Sequence, residues 1–191
     1  MAGDSARFSR LLARSPALSG ARFSAGATRQ EASRYFIEKI GHYINAGDTA
    51  LHFAAAAYRF GIARNLVDAG ADLRARNRRG TEPLHAAATG NPGSPQWDPL
   101  AQGETIAFLI EAGADPNAQN LDGATPLHRA VRTRCAGAVR VLLEHGADPS
   151  IHNKRGSTAL ALARAPSGRG GSGSPAAKAE QQEILRLLRV R

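Results

Sequence analysis

Apolar residues in this chain come in short bursts at three- and four-residue spacing, separated by polar stretches rich in Gly, Asp and Asn. Ile62, Ala63, Leu66 and Val67 form one stripe, Ala138, Val139, Leu142 and Leu143 another, and Ile184, Leu185, Leu187 and Leu188 a third. This spacing predicts short amphipathic helices, each with a single face to bury. Near the start, Phe8, Leu11 and Leu12 share a further stripe, which Ser15-Pro16 would stop. The pattern calls for short helices that cover one another.

The polar stretches repeat. GDTALHFA from Gly47, GTEPLHAA from Gly80, GATPLHRA from Gly123 and GSTALALA from Gly156 line up. A second marker follows the first three: GADLRARN at Gly70, GADPNAQN at Gly113 and GADPSIHN at Gly146. Thr49, Thr125 and Thr158 stand where an N-cap hydroxyl would satisfy free amides, and Pro83 and Pro126 suit a first helical turn. Gly70, Gly113 and Gly146 suit left-handed stops after a second helix.

These motifs resemble the ankyrin repeat, with its period of about 33 residues and T-P-L-H-x-A signature. The resemblance covers residues 47–191 in units of about 47–79, 80–122, 123–155 and 156–191. It implies an all-α repeat solenoid, in which each unit is a β-turn followed by two antiparallel helices. Hairpin tips and first helices would line a concave face. Two inserts depart from the pattern: extra residues within Asn91–Gly103, and the Gly/Ser-rich PSGRGGSGSPAAKAE between the helices of the fourth unit. Glu82 replaces the capping threonine, which puts the cap and its hairpin bond in doubt in the second unit, and Ala161 replaces the signature histidine in the fourth.

Residues 1–46 are less regular. They read as a partial N-terminal cap, a helix over 3–18 followed by a long connection anchored by Tyr35, Phe36, Ile37, Ile40 and Tyr43. The alternative is an organellar targeting segment, because residues 1–30 are rich in Arg and Ser with Asp4 as their sole acid.

Composition refines the picture. The 191 residues include 25 Lys plus Arg against 16 Asp plus Glu, for a net charge of +9. That excess sits at the ends: residues 47–153 carry 10 basic and 11 acidic side chains. A nucleic-acid binder usually concentrates its cations on the folded face that follows phosphates, so the balanced centre lowers that reading. The single cysteine excludes a disulfide framework, and no apolar run approaches the roughly 20 residues of a membrane-spanning helix. Location is read as cytoplasmic, organellar if the first 30 residues are a transit peptide. Alanine and arginine bias points to a GC-rich, bacterial genome.

Catalytic chemistry finds little support. His52, His85 and His128 occupy one slot in successive units, and packed helices lie about 8–10 Å apart. They should form a row rather than converge on one ion. The resemblance implies that each ties neighbouring hairpins together. Cys135, beside Arg132 and Arg134, is the only candidate thiolate, but no His and acid accompany it. The glycines of 168–174 lack the lysine and preceding strand of a phosphate loop. No cofactor or metal is expected.

The expected function is non-catalytic protein binding, as scaffold, adaptor or inhibitor, through the concave face. The alternative is RNA or another phosphate-rich ligand held by the basic ends. Mapped onto the family's unit, the partner-binding candidates are Arg76, Arg78 and Arg79 on one tip, then Gln119, Leu121 and Asp122. Arg129 and Arg132 follow on a first helix, with His152, Lys154 and Arg155 on the last tip. A solvated surface is the bland reading of the same residues. A second candidate surface, on the edge carrying both inserts, comprises Trp97, Arg134 and Arg169. There Trp97 either anchors a partner or packs under its own prolines.

Overall fold

A computed structural model describes residues 2–28, 30–40, 42–95, 97–165 and 175–189, with side chains from residue 6 onward. Helix α1 spans Ala2–Arg14. It is followed by a short 3-10 turn, Pro16–Ser19, and a small antiparallel pair, β1 (Phe36–Ile37) and β2 (His42–Tyr43). Four helical hairpins come next: α2 (Ala50–Ala56) with α3 (Phe60–Asp68), and α4 (Pro83–Ala87) with α5 (Pro99–Glu111). α6 (Pro126–Arg132) pairs with α7 (Ala136–Glu144), and α8 (Ala159–Arg164) with α9 (Pro175–Arg189).

First helices stack on first helices and second on second: α2 meets α4, α4 meets α6 and α6 meets α8, while α3 meets α5, α5 meets α7 and α7 meets α9. The core between these two layers is mostly Ala and Leu. Leu51, Leu66, Leu84, Leu109, Leu127 and Leu142 are fully enclosed and alanines fill the gaps. Small side chains let short helices approach closely, which a row of large side chains would prevent. The three markers Gly70, Gly113 and Gly146 take φ of 82°, 109° and 87°, the left-handed stop expected from sequence.

The helices that follow the two inserts reach back into the stretches read as inserted. The Asp98 carboxylate accepts from the amides of Leu100 and Ala101 at 3.0 Å and starts α5 at Pro99, so Leu100–Gly103 belongs to the helix. In the fourth hairpin α9 begins at Pro175, which makes 175–180 helical too.

The connection after α1 keeps part of its expected anchoring: Ile40 packs against the core, and Tyr35 and Ile37 are half-buried. Phe36 and Tyr43 are exposed and lie against each other, ring centroids 4.7 Å apart. Backbone pairing adds to the anchoring. The Phe23 amide donates to the Asp48 carbonyl at 2.9 Å, Gly47 returns a bond to the Phe23 carbonyl at 2.7 Å, and Ala27 donates to Ile44 at 2.8 Å. The Arg22 guanidinium reaches the Arg76 carbonyl at 3.0 Å. α1 itself lies on α3, with Leu12 buried and the Asn65 amide donating to Ser9 Oγ at 2.7 Å.

Candidate partner-binding face

Each hairpin tip is built around one asparagine. Asn77 Oδ1 accepts from the amides of Arg79 and Thr81 at 2.9 and 3.0 Å. Asn120 Oδ1 does the same for Asp122 and Ala124, and Asn153 Oδ1 for Arg155 and Ser157. These asparagines close the second sequence marker, and their recurrence was the signal that could have identified them. Successive tips are joined by backbone bonds: Arg78 to Ala46 at 2.7 Å, Leu121 to Arg79 at 3.0 Å and Lys154 to Asp122 at 2.9 Å. Gly80 and Gly123 are needed for this approach. Both have positive φ, and a Cβ on either would lie under 3.0 Å from the amide nitrogen of the next tip.

Beneath the tips the signature histidines link units. His52 Nδ1 accepts from the Thr49 amide at 3.1 Å, which leaves Nε2 to donate to the Thr81 carbonyl at 2.9 Å. His85 donates to Ala124 and His128 to Ser157, each at 3.0 Å. The doubt over Glu82 is removed by geometry. Its amide donates to His85 Nδ1 at 3.3 Å, and it occupies the N-cap in the same extended conformation as the threonines. The capping-box arrangement is thus kept with a carboxylate in place of the hydroxyl. Burial lowers the pKa of all three histidines, that of His85 to about 3, so they sit neutral between the units.

At the entrance to the stack Asp48 is fully buried. Burial alone would raise its carboxyl. Contacts from His42 at 3.6 Å, Asn77 Nδ2 at 2.7 Å and the Asn45 amide at 2.6 Å outweigh it and hold the group ionised.

The expected partner-facing residues have divergent surroundings. Arg76 donates to the Gln119 carbonyl, reaches the Gly80 carbonyl at 3.3 Å and lies 3.8 Å from Glu82. Arg78 donates to the Ala27 carbonyl of the N-terminal connection. Gln119 Nε2 braces the next tip through the Gly123 and His152 carbonyls at 2.9 and 3.1 Å. Arg79, Leu121, Asp122, Arg132, His152, Lys154 and Arg155 are exposed, while Arg129 is half-buried beneath them.

On the other edge, Trp97 is half-buried, its Nε1 donating to Gln102 Oε1 at 2.9 Å. Arg134 is about nine-tenths buried with φ of 60°. Arg169 lies outside the described residues, as does most of its loop. Cys135 is enclosed, and burial pushes its thiol up to about 11, far from the thiolate a nucleophile needs. Among the described residues, no group of three His, Cys, Asp or Glu side chains could hold a metal ion, and no helix is long and apolar enough to cross a membrane.

Comparison with known families agrees with this architecture. A model described as ankyrin repeat matches residues 46–78 and 79–121, starting one residue ahead of the units read from sequence. A model of ankyrin repeats in many copies matches residues 109–163. Together the matches run over more than half of the chain.

Proposed function

The chain belongs to the ankyrin repeat family, whose repeats are generally non-catalytic protein–protein interaction modules. From this we propose that the protein is an adaptor, scaffold or inhibitor, gripping a partner protein with its tips and first helices. The supporting observation is the bonding of that face: backbone bonds join tip to tip and imidazoles join unit to unit. A surface so constrained loses little conformational freedom on binding, and affinity rises as that ordering cost falls. Residues 1–46 act as the cap of the stack, supported by the seating of α1 on α3 and the pairing of the connection with the first tip. The site of action is the cytoplasm.

Photo-crosslinking tests the binding face. A photoreactive residue replacing exposed Leu121, at the tips, should capture a partner protein in an extract of the host. The same residue replacing Glu104, exposed on second helix α5, should not. Capture from Glu104 alone overturns the assignment.

A further inference from the structure

The arginines of this chain separate by what they touch. Arg22, Arg76 and Arg78 are tied to carbonyl groups, and Arg140 and Arg186 pair with Glu183 at 2.6 and 2.8 Å. Arg79, Arg129, Arg132 and Arg155, like Arg59, Arg64 and Arg74, have no side-chain hydrogen bond or ion pair among the described residues, and what sets the four apart is that they lie together.

These four are neighbours. Arg79 and Arg155 come from the tips on either side of the third unit, and Arg129 and Arg132 project from α6 between them. Burial lowers the basicity of Arg129, to about 10, and that of Arg132, and the surrounding arginines depress both further. Asp122 is the acid that opposes this crowding, and it forms no ion pair with any of them within 4.0 Å among the described residues. The Nε of Arg129 is buried with no acceptor. Four like charges gathered around a single acid are unfavourable in the free protein and become favourable against a negative partner. Leu121, whose amide is bonded to the Arg79 carbonyl, is 57% exposed.

We propose that Arg79, Arg129, Arg132 and Arg155 receive an acidic segment of the partner protein, its carboxylates forked by the guanidinium groups and an apolar side chain resting on Leu121. The inference rests on the reading that this face binds a partner and adds the chemistry of what it binds. One observation favours a peptide over a nucleic acid: none of these residues is an aromatic on which bases could stack. Forked pairing with carboxylates needs arginine rather than lysine, and arginine fills all four positions.

The test is a displayed library of random short peptides selected on the full chain. The strongest peptide and a uridine oligonucleotide of the same length are then measured by fluorescence anisotropy. Selected peptides should be enriched in Asp and Glu beside Leu, Ile or Phe. Arg79→Gln, Arg132→Gln and Arg155→Gln together should weaken the best peptide by roughly a hundredfold, without lowering the melting temperature, because no internal bond is lost. Failure to select a peptide, selection without acidic enrichment, or undiminished binding by the triple variant would overturn the inference. So would tighter binding of the oligonucleotide, or a fall in melting temperature that marks the arginines as structural. If Leu121 still captures a protein while the selected peptides lack acids, the binding face stands and only the charge assignment fails.

Discussion

The indole of Trp97 and the amide of Gln102 are joined by a 2.9 Å hydrogen bond, five residues apart and on either side of the start of α5. Gln102 is fully buried, and its Nε2 donates to the Ala87 carbonyl at 2.9 Å, at the end of α4. One side chain thus fastens the insert to both helices of its unit. Gln102→Leu leaves the indole N–H and the Ala87 carbonyl without their bonds and should cost about 1–3 kcal/mol. Thermal melting should show it as a drop of several degrees. Trp97, the sole tryptophan, should report the same transition by a red shift of its emission. An unchanged melting curve would mean that the insert is held otherwise.

Arg78 and Arg79 are adjacent in sequence and should respond oppositely to neutralisation. Arg78→Gln removes the bond to the Ala27 carbonyl and should loosen the N-terminal connection. Arg79→Gln breaks no side-chain bond among the described residues and should leave melting within about 0.5 kcal/mol of the native chain. Hydrogen exchange at Ala27 and Phe23 would separate the two, rising for Arg78→Gln alone.

Acid should weaken the stack well before its carboxylates titrate. The unfolded chain takes up protons on histidine near pH 6.5, while burial keeps folded His52, His85 and His128 neutral to lower pH. Because the unfolded state then binds more protons, stability is full above about pH 6.5 and declines as pH falls towards the folded pKa values. The decline is about 1.4 kcal/mol per pH unit for each histidine that stays neutral. Asp48, its folded pKa held low, adds a further loss only below its unfolded value of 3.8. Glu82, its folded pKa raised by burial, opposes the trend above its unfolded value of 4.5. Melting temperature should fall between pH 7 and pH 5, and His85→Gln should flatten that slope. A flat profile for the native chain would refute the neutral assignment.

Cys135 should be silent in the folded protein. It is fully enclosed, its thiol is pushed up to about 11, and a Cβ added at Gly90 would lie 2.5 Å from its Sγ. Iodoacetamide should label it slowly at pH 8 and completely in denaturant. Gly90→Ala should destabilise the fold by about 1–3 kcal/mol through overpacking.

Deleting residues 1–18 should expose the side of α3 that Leu12 and Phe8 cover and lower the melting temperature. Equal curves for the full and shortened chains would show that α1 is not a cap.

The repeats were legible because each unit needs the same turn, cap and imidazole at the same offset. Thr125, His128 and Gly146 therefore carried their roles in the sequence itself. Glu82 was misjudged because a carboxylate on extended backbone can stand in the capping box where a hydroxyl was expected. The reach of α5 back to Pro99 went unread because Asp98-Pro99, a strong helix opening, lies inside a stretch rich in other turn formers. The sorting of the arginines could not be read locally at all. Arg78 finds its acceptor at Ala27, 51 residues away, while Arg79 has none nearby.

The imidazole bonds join each unit only to the next, so the four are tethered in series rather than cross-braced. Tension applied at the two ends passes through every junction in turn, and the whole yields at its weakest. The fourth unit is joined to the third by the His128–Ser157 bond, by the backbone bond from Lys154 to Asp122, by the packing of α8 and α9, and by Glu180 accepting from the Ala136 amide at 2.7 Å. A pulled molecule would therefore give way one unit at a time, in steps of similar force, because each of the three junctions carries the same imidazole bond.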